Sequence, residues 1–337
     1  MTTAVYVSNA DSGDISVLAL DGRSGALSAL QTVAIGGRVM PMALSPDRRM
    51  LYAARRTDPL AVVALSIDRE SGRLALEGEA PLPHSMAYLA VDHSGRWLFS
   101  ASYGGNMVAV SPIAACGMPH AARQVIATGP NAHCIVAGPG NAHVYATSLG
   151  SDLLMHFRFD STTGALASAE PPALQLPAGS GPRHLVFDRR SRFAYLLGEL
   201  DGSITLLRID AGSGAPSPLQ TVSVLPPGFA GKPWAADLHL TPDGRFLYAS
   251  ERRSNTLAMF VVDAHSGMLS PIGHVPAPAQ PRGFAIDPQG RFLLAAGEMS
   301  DGVGVYSIDA DGGKLTHCAD MPVGRGPNWI ETVALDE

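Results

Sequence analysis

Three cysteines in a chain of 337 residues, Cys116, Cys134 and Cys318, are too few and too scattered for a disulfide framework. They fit reduced thiols and a cytoplasmic setting. Charge is also sparse: 16% of residues are charged, and the formal balance is −6 at pH 7. With no basic surplus to meet a phosphate backbone or an anionic bilayer, nucleic acid and membrane are not expected as partners. Nowhere do 18 apolar residues run together, and the N-terminus passes straight into an apolar strand without a charged leader segment. Neither export nor insertion is expected. No His/Cys cluster has zinc spacing, and the Asp-Gly stretches lack the ligand spacing of an EF-hand. No metal or other cofactor is expected.

Glycine (36) and proline (26) are plentiful instead, as many short strands joined by tight turns require. One phrase recurs six times: Asp, three residues, Gly, one residue, then usually Leu and Ser or a near substitute. The copies begin at Asp21, Asp68, Asp160, Asp210, Asp263 and Asp309, with glycines at Gly25, Gly72, Gly164, Gly214, Gly267 and Gly313. The aspartates lie 47, 92, 50, 53 and 46 residues apart, so a copy is lost or disguised near position 115. A period of about 40–50 residues filled with short strands is the signature of a β-propeller.

A second repeat sets the count. A turn is followed by a short apolar strand centred on an aromatic or Leu, as in Thr241-Pro242-Asp243-Gly244-Arg245-Phe246-Leu247-Tyr248. Related segments start at Ser45, Asp92, Gly138, Asp188 and Asp287. Pro presets such a turn and Gly supplies its positive φ, so each segment predicts a hairpin. With the opening strand Ala4–Ser8 the units number seven, and the reading is all-β: a seven-bladed β-propeller of four antiparallel strands per blade, one domain over residues 1–337. Arg183–Phe187, Phe193–Leu197, Ser203–Leu207 and Leu219–Ser223 serve as a template blade. The chain opens on a second-strand sequence and ends on a first-strand sequence, Asn328–Val333. The last strand is therefore expected to join the N-terminal blade and close the ring, which removes exposed edges.

In such a blade the first strand is innermost, and its start lies at the same end as the finish of the second. Residues at those two places are expected to converge on one mouth. The first-strand starts offer Arg38, His84, Asn131, His133, Arg183, His184, Trp234, Arg282 and Asn328. The second-strand ends offer Arg55, Arg56, Tyr103, Ser148, Glu199, Glu251, Arg252 and Glu298, while Asp237 and His239 lie further along their strand. Arginines outnumber glutamates here, which points to a substrate carrying a carboxylate or phosphate, since a guanidinium grips such groups as a fork. Mixed Glu, His and Arg in a concave opening also suits acid/base chemistry. The plainer alternative is that the glutamates only form structural ion pairs with neighbouring arginines.

At these positions the chain resembles the seven-bladed propeller lactonase family, which includes 6-phosphogluconolactonases of the cycloisomerase-2 type and the fungal carboxymuconate lactonising enzyme. The motifs are Gly181-Pro182-Arg183-His184-Leu185-Val186-Phe187, Gly198-Glu199-Leu200, Ala235–Arg245, Ser250-Glu251-Arg252, Gln280-Pro281-Arg282-Gly283-Phe284 and the terminal Gly326-Pro327-Asn328-Trp329. The resemblance implies a metal-independent lactonase with a small anionic lactone as its partner, working as a monomer or weak homodimer. It places the family's His, Arg, Glu and second Arg on His133, Arg183, Glu199 and Arg252, with His184 a further catalytic candidate. Arg252, Arg282, Glu251, Arg55, Tyr103 and Glu298 are the expected substrate-binding residues. In one scheme Glu199 deprotonates water while Arg183 and a histidine hold the oxyanion. In the other a histidine is the base and Glu199 orients it, because neighbouring arginines weaken a carboxylate as a base.

The resemblance departs at Gly150-Ser151-Asp152-Leu153, which lacks the basic residues of enterobacterial members, and at Tyr88, where they carry a His. Hydrolysis of 6-phosphogluconolactone is therefore expected alongside two alternatives, an aldonic or aldaric acid lactonase and a muconate cycloisomerase. A scaffold propeller without activity is the remaining class, although the signatures of WD repeats are absent.

Overall fold

In the computed structural model, which describes residues 2–336, the chain is built from 28 strands arranged as seven four-stranded antiparallel sheets. The fold is a seven-bladed β-propeller. Blade one contains Thr2–Asn9 (β1), Asp14–Asp21 (β2) and Leu27–Ala34 (β3). Blade two follows with Val39–Leu44 (β4), Met50–Arg55 (β5), Ala61–Ile67 (β6) and Leu74–Pro81 (β7). Blade three is Tyr88–Val91 (β8), Trp97–Ser102 (β9), Met107–Pro112 (β10) and Gln124–Ala127 (β11). Blade four is Ala132–Ala137 (β12), His143–Ser148 (β13), Leu153–Asp160 (β14) and Ala165–Gln175 (β15). Blade five is Pro182–Phe187 (β16), Phe193–Gly198 (β17), Ser203–Ile209 (β18) and Pro216–Ser223 (β19). Blade six is Ala235–Leu240 (β20), Phe246–Glu251 (β21), Thr256–Val262 (β22) and Leu269–Pro276 (β23). Blade seven is Pro281–Ile286 (β24), Phe292–Gly297 (β25), Gly302–Ile308 (β26) and Leu315–Pro322 (β27). Pro327–Ala334 (β28) then pairs antiparallel with β1 and completes blade one, the closure the sequence predicts.

Two compact units divide the chain. One takes Met1–Val39, Ile67–Ala75 and Val222–Glu337, with blades one, six and seven. The other takes Met40–Ser66 and Leu76–Thr221, with blades three and four and most of two and five. In the first, Val5, Val7, Leu18 and Leu20 pack on Leu294, Ala296, Val303 and Val305. In the second, Phe99, Val108 and Val110 pack on Ile135, Val144, Ala146 and Phe157. The alternation of each strand turns one set of apolar side chains to each neighbouring blade, so the cores are sandwiches between sheets.

The Asp-x3-Gly phrase has a clear physical role. The Asp carboxylate accepts backbone N–H groups two and three residues on, as Asp21 does from Arg23 (3.0 Å) and Ser24 (2.7 Å). Those bonds hold the exposed Asp21 carboxyl below its usual pKa, the Ser24 N–H contributing most. The glycine takes a positive φ and lies against the preceding blade. At Gly214 (φ 72°) a Cβ would lie 2.6 Å from the His143 ring, and its carbonyl accepts the Tyr145 hydroxyl at 2.6 Å. Tyr6 to Gly72 and Tyr248 to Gly313 repeat the bond at 2.9 and 2.8 Å. The disguised copy is Ala114–Gly117: its Asp is gone, but Gly117 keeps the positive φ and accepts from Tyr52 at 2.8 Å.

Candidate active site

Within blades four to seven the first strand breaks register with the second at the same place. β12 pairs Ala132 with Ser148 and then Ile135 with Ala146, so His133 and Cys134 stand opposite the single residue Thr147. Arg183 and His184 stand in the same way opposite Leu197, Ala236 and Asp237 opposite Ser250, and Arg282 and Gly283 opposite Ala296. Two residues against one is a β-bulge, which twists the strand and re-aims its side chains. Three of the four candidate catalytic residues, His133, Arg183 and His184, stand in these bulges, and Glu199 follows the end of β17. A sequence signal for the bulges exists: a regular strand would turn adjacent polar residues such as Arg183 and His184 to opposite faces, one into each apolar layer beside the sheet.

In the second unit the bulges of β12 and β16 bring His133, Arg183 and His184 together with Glu199. Arg183 is 2% exposed and donates from Nε to Glu199 Oε2 at 2.8 Å. Its Nη1 contacts His184 Nε2 at 3.0 Å. A guanidinium only donates, so His184 Nε2 is the acceptor and the ring is neutral with its proton on Nδ1. The His133 ring lies 5.2 Å from that of His184, Tyr103 meets His133 edge-on at 6.1 Å, and Tyr88 meets His184 edge-on at 5.0 Å. Tyr103 is 38% exposed, whereas His133, His184 and Glu199 are buried. One guanidinium, one carboxylate and two imidazoles thus share a desolvated cluster with an aromatic at its edge.

The loop entering β16 is held by Asp152, which the sequence reading passed over. Its two carboxylate oxygens accept the N–H groups of Gly179 and Gly181, each at 2.8 Å. Gly181 O in turn accepts the Glu199 N–H at 2.8 Å, so the loop, Arg183 and Glu199 are fastened as one piece.

In the first unit the Arg–Glu arrangement recurs at the same spacing of 16 residues: Arg282 Nη1 meets Glu298 Oε1 at 3.3 Å. Gln280 donates to the other Glu298 oxygen at 2.6 Å. Gly283 has no room for a side chain, since a Cβ there would sit 2.5 Å from the Asn328 carbonyl. Blade six breaks the pattern, with the neutral Ala236 at the Arg position and Arg252 at the Glu position. The Arg252 guanidinium lies 3.9 Å over Trp234 and donates to the carbonyls of Trp234 and Ala235 at 3.0 and 3.1 Å. Arg253 covers the same indole at 4.8 Å.

Other expected residues are committed elsewhere. Arg55 forms a two-pronged pair with Glu79 on the outer strand β7, at 2.7 and 3.0 Å, and bonds Pro59 O at 2.9 Å. Glu251 is fully buried and accepts the N–H groups of Trp234 (2.6 Å) and Ser254 (2.5 Å), which fixes a turn. Asn328 is also fully buried and staples β28 to β1 through Ser8. His84 bonds Ser102, and Arg38 meets Asp11 in an exposed pair. His239, 40% exposed, bonds Asp237 at 3.2 Å. Desolvation pulls its pKa down, but the Asp237 carboxylate, with Glu331 further off, outweighs it and raises the pKa. Among the described residues no three His, Cys, Asp or Glu side chains group to hold a metal ion, and no helix is long and apolar enough to cross a membrane.

The family described as "Lactonase, 7-bladed beta-propeller" matches residues 2–332. The chain belongs to it. A 6-phosphogluconolactonase of Pectobacterium carotovorum is 41% identical over 336 residues, covering 100% of both chains. Among solved structures, a periplasmic gluconolactonase of Pseudomonas aeruginosa superposes with a TM-score of 0.93 at 31% identity, covering 100% of both chains. A putative 6-phosphogluconolactonase of Bacteroides fragilis superposes with a TM-score of 0.89 at 27% identity and 98% coverage of each chain. This lactonase-family chain therefore keeps the family's fold from end to end.

Proposed function

We propose that the protein hydrolyses a sugar-acid lactone, 6-phosphogluconolactone, to the open acid, without a metal. The observation that carries the reading is the buried arrangement in which Arg183 bridges Glu199 and His184. The name shared by its 41%-identical relative supports the substrate.

As water adds to the lactone carbonyl, negative charge moves to the carbonyl oxygen. Arg183, already ordered by Glu199, supplies a donor to that oxygen without reorganising, an effect typically worth about 10²–10³ in rate per donor. His184 Nε2 is occupied in accepting from Arg183, which leaves His133 as the base that takes the proton of the attacking water. Collapse of the tetrahedral intermediate breaks the bond to the ring oxygen, which recovers the proton from His133. Glu199 acts in this reading as the residue that orients Arg183. Arg282 and Arg252 are assigned to the anionic tail of the substrate. A phosphorylated substrate implies a cytoplasmic enzyme.

A second reading is an unphosphorylated aldonic or aldaric lactone. The segment Gly150–Leu153 offers no cation, and Asp152 there is committed to a loop. The likeness to the Pseudomonas gluconolactonase points the same way.

Initial rates on 6-phosphogluconolactone, gluconolactone and an aldaro-lactone, with and without EDTA and corrected for spontaneous opening, test both. EDTA-insensitive preference for the phosphorylated lactone is the expected result. Preference for either other lactone moves the assignment to the second reading, and no turnover above background on any of the three rejects lactone hydrolysis.

A further inference from the structure

A β-bulge leaves a backbone N–H without its ladder partner. In blade four that N–H belongs to Cys134, the neighbour of His133, and Thr147 takes it: Cys134 N–H donates to Thr147 Oγ1 at 2.9 Å. The same hydroxyl then donates to the carbonyl of Arg183 at 2.9 Å, in the bulge of the next blade. One hydroxyl therefore links the two bulges that carry His133 and Arg183. Thr147 is 1% exposed, so water does not compete for either bond. Blade six repeats the relay, with Asp237 N–H donating to Ser250 Oγ at 3.1 Å and Ser250 Oγ donating to Arg282 O at 3.4 Å. The other two second strands have Leu197 and Ala296 opposite the bulge, neither of which can relay. The hydroxyl is thus no general need of the fold. It occurs where one bulge is tied to an arginine-bearing bulge next door.

We propose that Thr147 is a positioning residue for lactone hydrolysis, fixing the spacing of the His133 and Arg183 bulges through its single hydroxyl. This rests on the functional reading above. Without the hydroxyl both backbones remain in place as strands, but their separation is no longer set by the two 2.9 Å hydrogen bonds, and the near-attack geometry loosens.

The test compares T147V, which keeps shape and strand preference, with T147S, which keeps the hydroxyl. Expected are a fall in kcat of about 10-fold or more for T147V at nearly unchanged KM, and near wild-type kcat for T147S. Histidine-labelled protein gives a readout independent of turnover: the His133 and His184 imidazole resonances should move in T147V and stay in T147S. If T147V does not fold, T147A is read in the same way against T147S. Wild-type kcat in the hydroxyl-free variant with unmoved resonances overturns the proposal, as does an equal loss in T147S. If the wild-type protein opens no lactone but the resonances still move in T147V and stay in T147S, the positioning role stands and the reaction is rejected.

Discussion

Arg183 and Glu199 form a buried ion pair 2.8 Å long, joining the bulge of β16 to the residue just past β17. Removing one partner leaves the other charge buried and uncompensated, a cost of about 3–5 kcal/mol in comparable sites. The pair also separates the two roles open to Glu199. As the orienter of Arg183, it should tolerate E199Q, whose amide oxygen still accepts from Nε, with a loss of kcat of about 10-fold. As the base, it should lose about 10³-fold or more on the same change, because an amide takes no proton. E199Q and E199A rates, with melting temperatures for both, decide between them.

Arg183 itself should not be replaceable by lysine. One planar group reaches Glu199 and His184 in two directions, which a single ammonium cannot copy. R183K is expected to lower kcat by about 10²–10³ while keeping most of the stability of the wild type. Circular dichroism alongside the rate shows whether the charge alone suffices.

Arg282 is the better probe of the anionic tail than Arg252. Its side chain is 21% exposed, while the Arg252 guanidinium is spent on two carbonyls and an indole. A hydrogen bond to a charged group is worth about 1.5–3 kcal/mol, so R282A should raise KM for the phosphorylated lactone by roughly 10–100-fold and leave kcat nearly unchanged. An equal effect on gluconolactone would show that Arg282 does not read the phosphate.

The propeller was legible because its repeats are backbone devices: Asp21, Asp68 and their fellows cap turns, and glycines such as Gly72 and Gly214 sit where a Cβ would strike the preceding blade. That His133, Arg183, His184 and Glu199 lie together follows from topology, since the ends of paired strands meet whatever the side chains do. The same rule puts Arg55 and Glu251 with the substrate. Topology gives the location of a Cα but not the direction of the guanidinium, and Glu79, 24 residues on, captures Arg55. Thr147 and Asp152 were passed over because a hydroxyl and a carboxylate in apolar or glycine-rich surroundings look ordinary until the bulge and loop they serve are seen.

Strand β28 makes its ladder with β1, from Thr3–Ala334 to Ser8–Trp329. Deleting residues 327–337 would strip the whole of β1 of its partner and open Val5 and Val7 to water. We expect the truncated chain to lose its cooperative thermal transition or to melt well below the full chain. Unchanged melting would mean that blade one stands on three strands.

Acid should loosen the second unit at the His143–His156 pair. His156 Nδ1 donates to Pro171 O at 3.3 Å, so its Nε2 accepts from His143 Nδ1 at 2.9 Å. Tyr145 stacks on the buried His156 ring at 5.0 Å. Protonating His156 would set two donors face to face. Burial, then the neighbouring His143, lowers the His156 pKa below 6.5; burial, then Arg158, does the same for His143. The unfolded chain therefore binds these protons first as pH falls. Stability should be unaffected above about pH 7.5, then decline as pH drops through 6.5 towards the lower folded values, by up to about 1.4 kcal/mol per pH unit for each proton taken up. Denaturant melts at pH 8, 7, 6 and 5.5 measure the slope, and H156Q should flatten it. If H156Q melts with the wild-type slope, the acid sensitivity lies elsewhere.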